Sequence, residues 1–68
     1  MNMKIFINNE ATTTESKTLQ SVLAEQSVAD KQGIAVALND TVISKKNWNR
    51  TNLKENDKIL IITATQGG

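Results

Sequence analysis

The residues with the clearest chemical potential in this chain are the two glycines at its end, Gly67 and Gly68. The chain has 68 residues and only three glycines, and two adjacent glycines at the last two positions have a chance probability of about 0.5% at average usage. Glycine lacks a Cβ, so such an arm can bring a terminal carboxylate close to a reactive group inside another protein. We expect the Gly68 carboxylate to react, with Gly67 and Gln66 in the arm that carries it. The alternative is a frayed terminus without a function.

The side chains offer little for catalysis. The chain has no Cys and no His, which excludes Ser-His and Cys-His nucleophilic pairs as well as a disulfide and an ordinary zinc site. Among seven acidic residues, only Glu55 and Asp57 lie close together in sequence, where we expect a solvated turn. We therefore expect a protein that is not an enzyme and binds no cofactor, and on which the groups of another protein act.

Composition also argues against two classes of partner. The net charge is +1 and the only aromatic residues are Phe6 and Trp48, whereas a protein that binds single-stranded nucleic acid needs several stacking rings on a basic groove. The longest apolar run, over 59–62, is far too short to cross a bilayer, and residues 1–10 lack the pattern of a signal peptide. We expect a cytoplasmic protein that binds neither nucleic acid nor a membrane.

Basic residues concentrate in one segment of the chain. Five of the eight Lys and Arg residues lie between positions 45 and 58, and we interpret them as a solvated surface in preference to a docking site. They are Lys45, Lys46, Arg50, Lys54 and Lys58.

The apolar pattern predicts five strands and one helix. In residues 4–8, Ile5 and Ile7 lie on one face and Lys4, Phe6 and Asn8 on the other, as in a half-buried strand. Thr18 precedes apolar residues with helical spacing and is expected to cap a helix over 18–27. The segment 45–52 is polar apart from Trp48, which indicates an irregular crossover whose ring covers an edge of the core. The predicted strands, in chain order, are 4–8, 11–14, 34–39, 42–44 and 58–65.

The last predicted strand is apolar on both faces, which places it in the middle of a sheet. Two β-strand pairs flanking a helix, with that strand between them, predict a β-grasp (ubiquitin-like) roll of the α+β class, a mixed sheet with one main helix packed across it. The first and last strands are then parallel neighbours. We expect a β-grasp domain over residues 1–62 and a flexible arm over 63–68 that leaves from the centre of the sheet.

Alternation along the strands divides their apolar side chains between the two faces of the sheet. Phe6, Leu60 and Ile62 are expected to point away from the helix and to form one exposed patch. Such patches commonly mark partner surfaces, so we expect these three residues to bind a partner. The alternative is partial burial of the patch by the basic crossover or by a neighbouring molecule. The residues expected to face the helix are Ile5, Ile7, Val36, Leu38, Ile59 and Ile61.

Five segments of the chain follow one family pattern: IFINN, AVALND, VISKKNW, LKENDKILII and the final GG. In these segments the chain resembles the ubiquitin-like sulfur carriers, most closely those of the thiamine pathway, over nearly its whole length. Two positions depart from that family. Asn56 stands where Gly is usual, a mild change because Asn also accepts positive φ. Lys45 stands where Arg is more usual, which weakens a bidentate role. The positions that match the family pattern are Asn39, Trp48, Leu53 and Asp57. Lys45 matches it only as a basic residue three positions before the Trp.

The resemblance implies a mechanism centred on Gly68. An E1-like adenylating enzyme would use ATP and Mg²⁺ to adenylate the Gly68 carboxylate, which would then become a thiocarboxylate with sulfur derived from cysteine by a desulfurase. A thiazole synthase would receive that sulfur. Two other classes stay open: a carrier on the same fold for another product, such as molybdopterin or thiolated tRNA, and a ubiquitin-like modifier or β-grasp binding module whose glycines are incidental.

Overall fold

A computed structural model describes residues 2–29 and 32–63 of the chain. The predicted order of elements is confirmed, and each end of the first four strands lies within one residue of its predicted position. Residues 64 and 65, which were also predicted as strand, lie outside the described residues. The elements are β1 (Met3–Ile7), β2 (Glu10–Thr14), α1 (Leu19–Glu25), β3 (Ile34–Leu38), β4 (Thr41–Ile43), a 3₁₀ helix (Lys45–Arg50) and β5 (Lys58–Thr63).

The strands form one mixed five-stranded sheet in the order β2-β1-β5-β3-β4. β1 and β5 are parallel, and the other neighbouring pairs are antiparallel. The last strand therefore lies at the centre, as its two apolar faces predicted. This arrangement, with α1 on one face, is the predicted α+β β-grasp roll.

Two tight turns close the hairpins β1-β2 and β3-β4. Each has two residues between the strands, and all four residues have positive φ: 50° and 71° at Asn8 and Asn9, 49° and 73° at Asn39 and Asp40. Two-residue hairpin turns with positive φ at both positions match the right-handed twist of the strands. Asn and Asp accept this conformation at low cost, so these dipeptides set the register of both hairpins.

The helix begins as predicted and ends earlier than predicted. Thr18 caps it, with Oγ1 accepting a hydrogen bond from the Ser21 amide at 3.2 Å. The predicted span of 18–27 was too long at its C-terminus, because Gln26 is the C-cap and Ser27 has a φ of 63°. Left-handed backbone at Ser27 cannot continue a right-handed helix.

The core lies between α1 and the inner face of the sheet. The predicted inward-facing residues are confirmed there: Ile5, Ile7, Val36 and Ile59 are buried, and Leu38 and Ile61 are partly buried against them, together with the helix residues Leu19, Val22 and Leu23. Among the described residues, no helix is long and apolar enough to span a membrane.

The crossover between β4 and β5 packs its two apolar residues into the core. Trp48 is only 2% exposed, as predicted, and its Nε1–H donates to the Ile43 carbonyl at 3.0 Å. Leu53 is also buried. Regular geometry was not expected here, but Lys45–Arg50 forms a 3₁₀ helix. This helix carries the indole from the end of β4 to the edge of α1.

The turn before β5 differs from its prediction. Asn56 has a φ of 72°, which agrees with its standing at a position where glycine is usual. Glu55 is exposed, but Asp57 is 8% exposed and accepts hydrogen bonds from two other residues. A solvated turn was therefore wrong for Asp57, because its carboxylate closes the turn from inside.

Candidate partner-binding site

The strand that precedes the terminal glycines is held at the centre of the sheet. β5 pairs with β1 on one flank and with β3 on the other, and it includes Thr63, which was predicted to open the arm. Gln66, Gly67 and Gly68 lie outside the described residues, so their roles stay predictions.

The outer face of the sheet, opposite α1, carries the predicted apolar patch. Leu60 is 46% exposed and Ile62 is 49% exposed, while Phe6 is half-buried. All three point away from the core, since their sequence neighbours in β1 and β5 are the core residues. The predicted orientation of these side chains is confirmed, and their binding to a partner stays a prediction.

The structure brings two of the three patch residues into one depression. Phe6 pairs with Lys58 across the parallel β1-β5 ladder, so Leu60 is its diagonal neighbour on the same face. Both line a shallow depression of about 180 Å³. Ile62 lies outside it, one further outward position along β5, opposite Ala35. The full lining is Phe6, Asn9, Ala37, Asp40, Lys58, Ile59 and Leu60.

A fourth apolar residue, Val42, belongs to the same face and was missed in the sequence. Val42 is 72% exposed and lies opposite Ala37 in β4, while Ala37 lies opposite Leu60 in β5. An apolar row therefore crosses four strands, from Phe6 through Leu60 and Ala37 to Val42. The sequence pattern could have shown this orientation through Ile43. If Ile43 faces the core, its neighbour Val42 must face outward, because side chains alternate along a strand.

The depression has an apolar floor and a polar rim. Its rim residues come from the two hairpin turns and the start of β5: Asn9, Asp40 and Lys58. An apolar side chain of a partner fits such a surface, with the rim supplying hydrogen-bonding and charged groups around it. The described residues contain no cluster of acidic side chains that could hold a metal ion. Binding of a partner at this depression stays a prediction.

The basic residues of the crossover lie on the surface. Lys45, Lys46, Arg50, Lys54 and Lys58 are all exposed. The Lys45 Nζ lies over the Trp48 ring, 6.0 Å from its centroid. A solvated surface and a docking site would both be exposed, so the interpretation as a solvated surface stays a prediction. Only Lys58 also borders the depression.

Comparisons with known proteins agree with this architecture. The model of the ThiS family matches residues 3–68. The crystal structure of the thiamine biosynthesis protein ThiS from Geobacter metallireducens is 22% identical, with a TM-score of 0.81, and the match covers 97% of this chain and 100% of that one. An NMR solution structure of a thiamine biosynthesis protein from the same organism is also 22% identical, with a TM-score of 0.75 and coverage of 97% and 88%. No curated protein matches this chain. The structural matches establish the fold.

Proposed function

Because this chain belongs to the ThiS family, we propose that it is a sulfur carrier for thiazole formation in thiamine biosynthesis. The observation that carries the proposal is the family match over residues 3–68, which includes both terminal glycines. In this proposal the chain is a carrier and a co-substrate of an E1-like adenylating enzyme, and it is not itself an enzyme. A thiazole synthase is the partner that consumes the sulfur.

The proposed chemistry exchanges one oxygen of the Gly68 carboxylate for sulfur. A carboxylate oxygen attacks the α-phosphate of ATP on the activating enzyme, which supplies Mg²⁺, and pyrophosphate leaves. Hydrosulfide, released when a thiol reduces the persulfide that a cysteine desulfurase forms, then displaces AMP from the acyl-adenylate. The products are AMP and a terminal thiocarboxylate. The chain needs no side-chain nucleophile for this, and it contains neither Cys nor His.

The fold supports this role through the position of β5. β5 pairs with β1 at its beginning and with β3 as far as Thr63, so docking of the sheet on an enzyme fixes where the arm begins. Ordering the arm costs about 1–2 kcal/mol per residue, and contacts made elsewhere on the domain must offset that cost. Leu60 and Ile62, exposed on the outer face of the same strand, are the residues we propose for this docking.

The test is mass spectrometry of the intact chain. Incubated with an E1-like adenylating enzyme, ATP, Mg²⁺ and a sulfide source, the protein is expected to gain the mass of one oxygen-to-sulfur exchange, which fragmentation places on Gly68. A variant that ends at Gly67 ends about 3.3–3.6 Å short of the phosphate. It is expected to be nearly inert, because a displacement of about 1 Å can lower a rate a hundredfold.

Four outcomes would contradict the proposal. A mass change on an internal residue, or equal modification of the shortened variant, would show that Gly68 is not the reacting group. An isopeptide link between this chain and a lysine of another protein would identify a modifier. Sulfur transfer to a molybdopterin precursor or a tRNA, and not to a thiazole product, would identify a carrier of another pathway.

A further inference from the structure

β5 is longer than its parallel neighbour on one flank. The β1-β5 ladder contains only two residue pairs, Phe6 with Lys58 and Ile7 with Ile59. On the opposite flank, β3 accompanies β5 as far as Thr63. Over 61–63, therefore, β5 has a strand neighbour on one side only, among the part of the chain that the structure describes.

Asn8 ends the shorter ladder in an unusual way. Its amide donates to the Ile59 carbonyl at 2.9 Å, as a continuing strand would. Its φ of 50° then turns the main chain away, and its side-chain Oδ1 accepts from the Ile61 amide at 2.7 Å. The chain continues through Asn9 into β2, which runs back along the far side of β1. We call the strand-wide space beside residues 61–63, in line with β1 beyond Asn8, the open lane.

Two backbone groups of β5 face the open lane. The Asn39 amide donates to the Lys58 carbonyl. The backbone N–H and C=O groups of the even-numbered residues of β5 therefore point toward β3. In agreement with this alternation, the Ile59 carbonyl and the Ile61 amide both bond to Asn8, on the side of β1. The next groups on that side are the Ile61 carbonyl and the Thr63 amide. Neither has a hydrogen-bond partner within 2–29 or 32–63.

We propose that an extended segment of the activating enzyme fills the open lane and adds to the sheet as a sixth strand. This inference rests on the function proposed above. A free N–H and a free C=O two residues apart on one strand edge are spaced to bond to a neighbouring strand. A partner strand added at such an edge gains its affinity from main-chain hydrogen bonds. If the segment runs parallel to β5, as β1 does, one of its residues, opposite Ile62, donates its N–H to the Ile61 carbonyl and accepts from the Thr63 amide.

The position of the open lane favours the adenylating enzyme as the occupant, because that enzyme is the first that must bind the arm in the proposed function. Residues 64–68 follow Thr63 directly, so a strand bound here lies against the root of the arm at the point where it must enter that enzyme. Ile62 points to the outer face beside the same lane and is 49% exposed. One segment of the enzyme can thus pair with the backbone of 61–63, while adjacent side chains of the enzyme pack on Ile62. Together these contacts order the arm before the chemistry begins.

Amide hydrogen exchange tests the inference on the unmodified protein. In the free chain the Thr63 amide is expected to exchange fast, since no residue within 2–29 or 32–63 accepts a hydrogen bond from it. In the complex with the E1-like adenylating enzyme, without ATP, its exchange is expected to slow by about tenfold or more. The Ile62 amide, already bonded toward β3, serves as the internal reference.

A matched pair of variants supplies the second measurement. Thr63→Pro removes the amide hydrogen without breaking a bond within the sheet, because proline is tolerated where the N–H faces no partner strand. It is expected to weaken enzyme binding about tenfold or more. Thr63→Val keeps the amide hydrogen and the β-branched shape, and it is expected to bind as the wild type does.

The inference is overturned in any of four cases. The Thr63 amide exchanges equally fast in a complex that forms, or Thr63→Pro binds as well as Thr63→Val, or no complex forms. Protection of Thr63 that appears in the concentrated carrier alone would place a second copy in the open lane and would also overturn it. Thiocarboxylate formation at Gly68 is measured separately, so the proposed function stands or fails independently of this result.

Discussion

The side chain of Asn39 donates through Nδ2 to Oδ1 of Asp57 at 2.9 Å, across 18 residues of sequence. The second oxygen of Asp57 accepts from the Lys54 amide at 2.7 Å, and the Asn39 Oδ1 accepts from the Lys58 amide at 2.9 Å. Asn39 thus ties the β3-β4 turn to the turn that starts β5. The central strand, from which the arm continues, is fixed at its beginning by this pair of side chains.

Replacing the Asp57 carboxylate by an amide tests this tie. Asp57→Asn keeps the shape of the side chain but replaces one of its two accepting oxygens by an NH₂ group. One of the two hydrogen bonds to this side chain is therefore lost. We expect the free energy of unfolding to fall by about 1–3 kcal/mol, measured by denaturant titration. Asp40→Asn is the control, because Asp40 is exposed and Asn also accepts its positive φ. Equal stability of the two variants would contradict a structural role for Asp57.

The side chain of Asn8 is expected to protect one amide of β5. Asn8→Gly keeps the positive φ but removes the oxygen that accepts from the Ile61 amide. Exchange of that amide should become faster, and stability should fall by about 0.5–1.5 kcal/mol. Asn9→Gly, at the second position of the same turn, should leave Ile61 protected. Unchanged exchange at Ile61 in Asn8→Gly would show that the bond does not hold in solution.

Stability is expected to depend on the core and not on the terminal glycines. Leu23 is fully buried between α1 and the sheet, so Leu23→Ala should lower the free energy of unfolding by about 2–5 kcal/mol. Deletion of Gly67 and Gly68 should change it by no more than about 0.5 kcal/mol. Denaturant melts compare the two variants. A shortened chain that unfolds readily would mean that the end of the chain packs on the domain.

The outer face is expected to matter for binding more than for folding. Ile62→Asp should weaken binding to the activating enzyme by about 1–3 kcal/mol, the scale of an ordinary interface anchor, with at most about 1 kcal/mol lost in stability. Thr13→Asp places the same charge on the same face, in the edge strand β2, and should bind nearly normally. Calorimetric titration measures both. Equal losses in the two variants would remove Ile62 from the docking surface.

The local pattern of the sequence determined most of the fold. Alternation in the strands separated core from outer face, and the dipeptides between the predicted strands, Asn8-Asn9 and Asn39-Asp40, favour tight turns because Asn and Asp accept positive φ. Thr18 marked the start of α1 through a hydrogen bond three residues along the chain. Each of these signals depends on neighbours in sequence, so it can be interpreted before the chain is folded.

The remaining features depend on residues that only the tertiary structure brings together. Asp57 is buried because its two donors converge on it from Asn39 and Lys54. Val42 joins the outer face because Ala37 lies between β4 and β5. The open lane exists because β1 turns away at Asn8 while β5 continues. Hydrogen bonds and exposure are set by pairing between segments distant in sequence, and no local pattern specifies which backbone groups such pairing leaves without a neighbour.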